Sequence, residues 1–252
     1  MLTELLQLNI FAFLLVFARL GTAVSFMPGF SATYVPTRLR LSIALALSFV
    51  VLPVIAPKLP VMPRNVPDLA IMVVGEIIVG SFIGLVGYIL ITTLQTAGTI
   101  IALASSMSNA LIQDPVAEQQ SSTISGFLLT VGAVLIFVLD LHHLMIRAAL
   151  ESYAMFEPGK VLPFGDFAEM LSRRVADSFA LGLQLAMPAV VIGLTYTIGL
   201  GLLGRLMPQL PVFFFGLPVQ ISMQLWVLTL TVSGIMLVFT TRFADGIGAF
   251  VP

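Results

Sequence analysis

Three ionisable residues stand where a hydrophobic chain is least able to carry them. Arg19, Glu76 and Asp140 fall inside or at the ends of long apolar stretches, where a charge costs at least about 2.5–3.5 kcal/mol on insertion scales. Such residues face protein, a cavity or one another. Arg19 and Glu76 have opposite signs, and we pair them; the alternative is an Arg19 that snorkels toward the headgroups. Asp140 opens Asp140-Leu141-His142-His143, which holds both histidines of the chain. Adjacent histidines point about 100° apart on a helix, whereas Asp140 and His143 share a face. The sequence therefore predicts a hydrogen-bonded corner and no metal site, with proton sensing by the histidines as the alternative. Gly199-Leu200-Gly201-Leu202-Leu203-Gly204 spells GxGxxG, but a dinucleotide site needs a strand before the glycines and an acidic residue about twenty positions on. Here they end an apolar span and run into Arg205-Leu206-Met207-Pro208, so no cofactor is expected.

The other polar feature is a stretch, QTAGTIIALASSMSNALIQDPVAEQQ, from residue 95 to 120. It is rich in small and amide-bearing residues, and no Lys or Arg follows it until Arg147. Asp114-Pro115 breaks any helix there, since proline has no N–H and disfavours a helical residue before it. Non-helical backbone at membrane depth is tolerated only where protein buries it or where it borders a water-filled cavity. We read this loop as lining or closing a passage.

The elements that must position these groups are apolar helices. Of 252 residues 59% are hydrophobic and 9% charged, with a mean hydropathy of +1.10; soluble domains carry roughly 25% charge. Lys and Arg number 11 against 12 Asp and Glu, so neither a nucleic-acid patch nor a polybasic lipid anchor is expected. Zero Cys excludes disulfides, thiolate nucleophiles and cysteine-ligated metals. Glu4 without a basic residue before Arg19 argues for a retained first helix rather than a cleaved leader. Spans are predicted at 5–27, 39–55, 69–91, 124–139, 179–203 and 219–239, giving an all-α polytopic membrane protein of about six hydrophobic segments packed as helical hairpins. The third runs without a breaker into Gln95, so its helix exceeds a bilayer's need. In the polar segment 142–178, Asp166 and Glu169 resemble an acidic capping box, and Phe167, Met170, Leu171, Val175 and Phe179 recur at helical spacing. That predicts an amphipathic helix at an interface or on a partner. Positive-inside counting favours cytoplasmic termini.

Two packing signals complete the residue-level reading. Gly80 and Gly84 form a GxxxG pair with Gly87 nearby; they admit another backbone closely, either a partner subunit's or this chain's own. Met207 and Phe213-Phe214-Phe215 lie in the break between the last two spans, where flexible Met and flat Phe can seal around a variable object as a gasket.

Several blocks, in order along nearly the whole chain, resemble the FliR/SpaR family, the R component of the type III secretion export gate. The first is Phe26-Met27-Pro28-Gly29-Phe30 with Val35-Pro36, Arg38 and Arg40. The central one holds Gln95, Ala97-Gly98, Asp114-Pro115 and Gln119-Gln120, followed by His142-His143. The last is Pro208-Gln209, Val212-Phe213, Gly216 and Pro218. Leu141 replaces a usual Gly, and Leu210-Pro211 a usual Met-Asn. The resemblance implies a P-like half (1–178) joined to a Q-like half (179–252). It implies P-type and Q-type gate subunits and a B-type switch subunit as partners, unfolded export substrates in transit, membrane lipid around some helices, and a place in the inner membrane within the flagellar basal body. It also implies that the loop from Ser105 to Ser122 is a plug, with Met107, Leu111 and Ile112 as a dry seal, and Asn109, Gln113, Gln119 and Gln120 satisfying backbone groups around Asp114-Pro115. The function expected is a non-enzymatic structural and gating subunit. The alternatives are a small-molecule secondary transporter, which also uses broken helices and intramembrane charges, and an intramembrane enzyme, for which the histidines are poorly arranged.

Overall fold

The computed structural model describes residues 2–32, 34–63, 65–106, 122–160, 162–207, 209 and 212–251, with the backbone alone fixed for 2–9, 212 and 213. Every regular element among the described residues is helical: α1 (Leu2–Phe26), α2 (Thr37–Ile55), a 3-10 turn (Ala56–Lys58), α3 (Val66–Ala104), α4 (Thr123–Val138), α5 (Leu141–Met155), α6 (Phe164–Leu206) and α7 (Val212–Gly248). Among the described residues four helices are long and apolar enough to cross a membrane, and α4 with α5, bent by 71° at their break, makes a fifth if the pair is one span. Ile10–Phe26 of α1 is a shorter apolar helix. The expectation of about six apolar segments thus maps onto α1, α2, α3, the α4–α5 pair, α6 and α7.

Breakers explain the boundaries. Gly29 at φ +85° turns the chain after α1, and Pro36 precedes α2, where Arg40 Nη2 donates to Ala32 O and Val35 O, both at 3.0 Å. No breaker interrupts α3, which keeps 39 residues and about 58 Å of length at 1.5 Å per residue. Two boundaries differ from the sequence reading. The polar run after Phe164 is the first part of α6, a single helix of 43 residues that continues through Pro188. Asp166 sits in its first turn, where it complements the helix dipole. The predicted stripe divides: Phe167 is buried, while Met170, Val175 and Phe179 are exposed. Likewise Phe213, Phe214 and Phe215 belong to the start of α7 rather than to the break before it, because the helix runs through Pro218. Pro is tolerated inside such apolar helices.

Two compact units result, each of several segments: Met1–Leu90 with Ile136–Arg174 and Phe243–Pro252, and Ile91–Leu135 with Val175–Arg242. In the first, α1 and α3 run parallel in close contact, as successive glycines of α3 meet successive turns of α1. Phe82 stacks on Phe167 with centroids 4.2 Å apart, and Phe156 and Phe250 meet Phe82 edge-on at 6.2 and 6.0 Å. Each such pair contributes about 0.5–1.5 kcal/mol beyond its buried area. In the second unit, Tyr196 Oη donates to Gly216 O at 2.9 Å and Gln224 Nε2 to Ala189 O at 2.9 Å. Those two bonds fix α6 and α7 as an antiparallel hairpin. Along α6, Leu183, Met187, Val191, Leu194, Ile198 and Leu202 stay exposed at helical spacing, and Trp226, Leu230 and Leu237 do so on α7. Apolar faces of that extent need lipid or another protein against them.

Candidate functional site

Arg19 and Glu76, paired on sign alone in the sequence, meet inside the first unit with 1% and 2% of their surface exposed. Arg19 Nε donates to Glu76 Oε2 at 2.7 Å and Nη2 to Oε1 at 2.9 Å, a bidentate fork. Nη1 reaches Ser152 Oγ at 3.2 Å, Nη2 also reaches Phe156 O at 2.9 Å, and the guanidinium carbon lies 3.9 Å from the centroid of the Tyr153 ring. One arginine therefore ties α1 to α3 and to the end of α5. Snorkelling is excluded by its burial. Ser152, Tyr153 and Phe156 were not singled out from the sequence; no local signal marks a hydroxyl, a ring and a carbonyl as partners of a charge distant in the chain. Asp140 does not join this pair. It stands exposed at the break before α5, its Oδ1 3.2 Å from His143 Nδ1.

The glycines are occupied from within. A Cβ on Gly80 would overlap Arg19 O and Thr22 Oγ1, one on Gly84 would lie 2.7 Å from both Ala23 O and Phe26 Cβ, and one on Gly87 would lie 3.1 Å from Pro28 Cδ. The close approach that GxxxG predicts is real, and its partner is α1 of the same chain. The space sought for another subunit at Gly80, Gly84 and Gly87 is already filled.

The residues expected to form a plug, Met107, Asn109, Leu111, Ile112, Gln113, Asp114, Pro115, Gln119 and Gln120, lie outside the described residues. Both ends of their loop are described, in the second unit. On the α3 side, Ser105 is buried, its Oγ donating back to Ile101 O (2.8 Å) and Ala102 O (3.0 Å), and Ser106 at φ +56° ends the helical path. Ala104 O accepts the Gln220 side-chain amide of α7 at 3.0 Å. On the α4 side, Ser122 Oγ accepts the backbone N–H of Ser125 at 3.1 Å, which starts the helix. Ser125 Oγ touches Ser122 Oγ at 2.8 Å, Thr99 Oγ1 at 3.1 Å and Gln95 O at 3.1 Å. The two sides close where a Cβ on Gly98 would come within 2.5 Å of Ser125 Cα. A residue larger than glycine there would push α3 and α4 apart. The stem of the loop is thus a cluster of hydroxyls, amides and carbonyls packed through one glycine. Gln95 and Gly98 were placed in it by the sequence, and Ser105 and Ser122 were named as the loop's ends; Ser125 and Gln220 were not singled out.

Of the gasket residues, Met207 lies between α6 and α7, and Met207, Phe214 and Phe215 are exposed; the Phe213 side chain is outside the description. Gly199, Gly201 and Gly204 sit inside α6, preceded by helix.

At the histidine corner Asp140 and His143 face each other as expected, and the two rings do not splay. The ring centroids of His142 and His143 are 4.0 Å apart rather than splayed, and one donor atom from each of Asp140, His142 and His143 lies within 4.8 Å of the other two. Side-chain torsions in the first turn of α5 bring together rings whose Cβ atoms diverge. His142 Nδ1 is shielded and has no hydrogen-bond partner, a condition that costs about 1–3 kcal/mol.

The model of bacterial export proteins, family 1, matches residues 10–246. The flagellar biosynthetic protein FliR of Caulobacter vibrioides is 36% identical, over 94% of this chain and 94% of its own. FliR of Bacillus subtilis is 29% identical over 92% and 90%. The secretion system apparatus protein SsaT of Salmonella typhimurium is 26% identical over 77% and 75%. The chain is an inner-membrane protein that belongs to bacterial export protein family 1, the FliR/SpaR family.

Proposed function

We propose that this chain is a structural and gating subunit of a flagellar type III protein export channel, non-enzymatic, in which the loop between α3 and α4 plugs the passage. The observation that carries the reading is the stem. Both ends of the loop are held by uncharged groups, Gln220 on Ala104 O and Ser125 on Gln95 O. Neutral hydrogen bonds of about 0.5–1.5 kcal/mol each hold a closed position yet let go without stranding a charge. A closed channel must resist about 2.3 kcal/mol per charge per 100 mV of membrane potential. It must also open for an unfolded chain about as wide as a helix, roughly 10 Å.

In this reading 1–178 is the P-like half and 179–252 the Q-like half. The exposed apolar stripes of α6 and α7 take lipid or the P-type and Q-type subunits, the B-type switch subunit binds the assembled gate, and Met207 with Phe213, Phe214 and Phe215 closes around substrate. The family match leaves the secondary-transporter alternative without support, since the relatives' names are flagellar and secretion-system ones. Deleting residues 107–114 is expected to leave gate assembly intact and make the membrane leak small ions, read as loss of membrane potential in cells expressing the gate. A deletion strain that assembles the gate and stays ion-tight would remove the plug.

A further inference from the structure

We propose that Asp140, His142 and His143 form a site for a divalent transition-metal cation at the corner between α4 and α5. Three observations carry it. One donor atom of each residue lies within 4.8 Å of the other two. A cation held at 2.0–2.2 Å by imidazole nitrogen and carboxylate oxygen places its donors roughly 3–4 Å apart, and His143 Nδ1 with Asp140 Oδ1 already stand at 3.2 Å. The rings of His142 and His143 are gathered at 4.0 Å, with Phe137 packed 5.1 Å from the His142 ring. The His142 ring also carries a shielded Nδ1 that nothing in the protein satisfies, so the protein leaves this imidazole with bonding capacity unused.

The backbone supports the arrangement. Asp140 takes a left-handed conformation, φ 57° and ψ 17°, directly before α5, and the two histidines occupy the helix's first turn. Three donors therefore come from four consecutive residues at the break that follows α4.

The donor set selects the ion. Two imidazoles and one carboxylate suit zinc, copper, nickel or ferrous iron and are poor for magnesium or calcium, which want oxygen shells. Asp140 and His143 side chains are 74% and 70% exposed, so water reaches the site and completes the coordination. Because the histidines must be neutral to ligate, binding weakens in acid. The inference is independent of the export reading.

The test uses the full-length chain in detergent, purified on a tag without histidine, stripped with EDTA and titrated with Co2+, then competed with Zn2+. One Co2+ per chain is expected at micromolar concentration, with visible absorption bands. Affinity should fall at least tenfold in each of D140N, H142Q and H143Q, and binding should vanish in the double variant H142Q/H143Q. A variant-free readout covers misfolding. The chain has two histidines in all, so Zn2+ should protect both from carbethoxylation by diethylpyrocarbonate. Equal titrations of wild type and double variant, occupancy only at millimolar cation, or unprotected histidines would each overturn the site.

Discussion

In the first unit the buried polar contacts of α1, α3 and α5 turn on a charge pair, Arg19 with Glu76. In the second, those of α3, α4, α6 and α7 run through hydroxyls, amides and backbone carbonyls. The chemistry sets what each can do. A buried ion pair has little net stability to offer over an apolar replacement, but losing one partner leaves an uncompensated charge at about 3–5 kcal/mol. It holds a geometry that must not change. Neutral bonds cost less to break than a buried ion pair, because no uncompensated charge is left behind. A segment that closes a passage and later clears it is better tethered by the second kind.

The largest effect that tests this contrast is at the charge pair. Glu76→Ala should lower stability by about 3–5 kcal/mol, read as thermal unfolding of the purified chain and as loss of its accumulation in the membrane. Arg19→Lys keeps the charge and loses the fork and the face-on contact with Tyr153, so about 1.5–3 kcal/mol is expected, the scale of hydrogen bonds to charged groups. Exchanging the two residues should not restore the fold. A carboxylate at position 19 would face Phe156 O and the π-face of Tyr153, the groups that now receive the guanidinium. Full recovery in the exchanged double variant would show that sign alone matters there, and the pair would lose its role as a fixed anchor.

Next come the glycines that let helices meet in each unit. Gly80→Leu drives its side chain into α1 and should destabilise by about 1–3 kcal/mol or more through overpacking. Its effect should appear in the free chain, as poor yield and early unfolding. A free chain of normal stability that fails only to co-purify with the P-type subunit would return Gly80 to a subunit contact. Gly98→Ala sets a Cβ 2.5 Å from Ser125 Cα; the overpacking cost outweighs the roughly 1 kcal/mol that alanine gains in a helix. Gly199→Ala is the control. Nothing lies within 4 Å of its Cβ, so it should gain up to about 1 kcal/mol.

Part of this was legible in the residues and part was not, for physical reasons. The length of α3 could be read because no Pro or helix-ending Gly pair interrupts it. Arg19 and Glu76 could be paired because charges of opposite sign are rare in apolar spans and must be compensated. GxxxG announced a close approach but carries nothing that names the approaching helix. The unity of α6 was hidden by its polar first third, whose charges look like a separate surface helix. The start of α7 was hidden by Pro218, which reads as a boundary in sequence but lies within the continuous helix. Ser125 of the stem carried no signal, since a single hydroxyl in a sequence does not reveal the carbonyl across the fold that it meets. At the histidine corner the pairing of Asp140 with His143 could be read from helical spacing, whereas the approach of the two rings could not, because spacing fixes where Cβ atoms point and not where the rings go.

The smallest effect is the sharpest test of what the stem is for. Ser125→Ala removes a hydroxyl that meets Ser122 Oγ, Thr99 Oγ1 and Gln95 O. Its cost should be about 1 kcal/mol, since Ser122 and Thr99 keep alternative partners in Gly98 O and Gln95 O. Ser122→Ala removes the side-chain acceptor at the start of α4 and should cost about 0.5–2 kcal/mol. The two are in contact, so their effects should not add, and the double-mutant cycle should show coupling. In membranes, the proposed plug requires Ser125→Ala protein to accumulate normally while ion leakage rises above wild type, since a tether of the loop is lost and the fold is not. A loss of stability as large as that of Glu76→Ala would mean that the stem is a second fixed anchor, and the contrast between the two units would go with it.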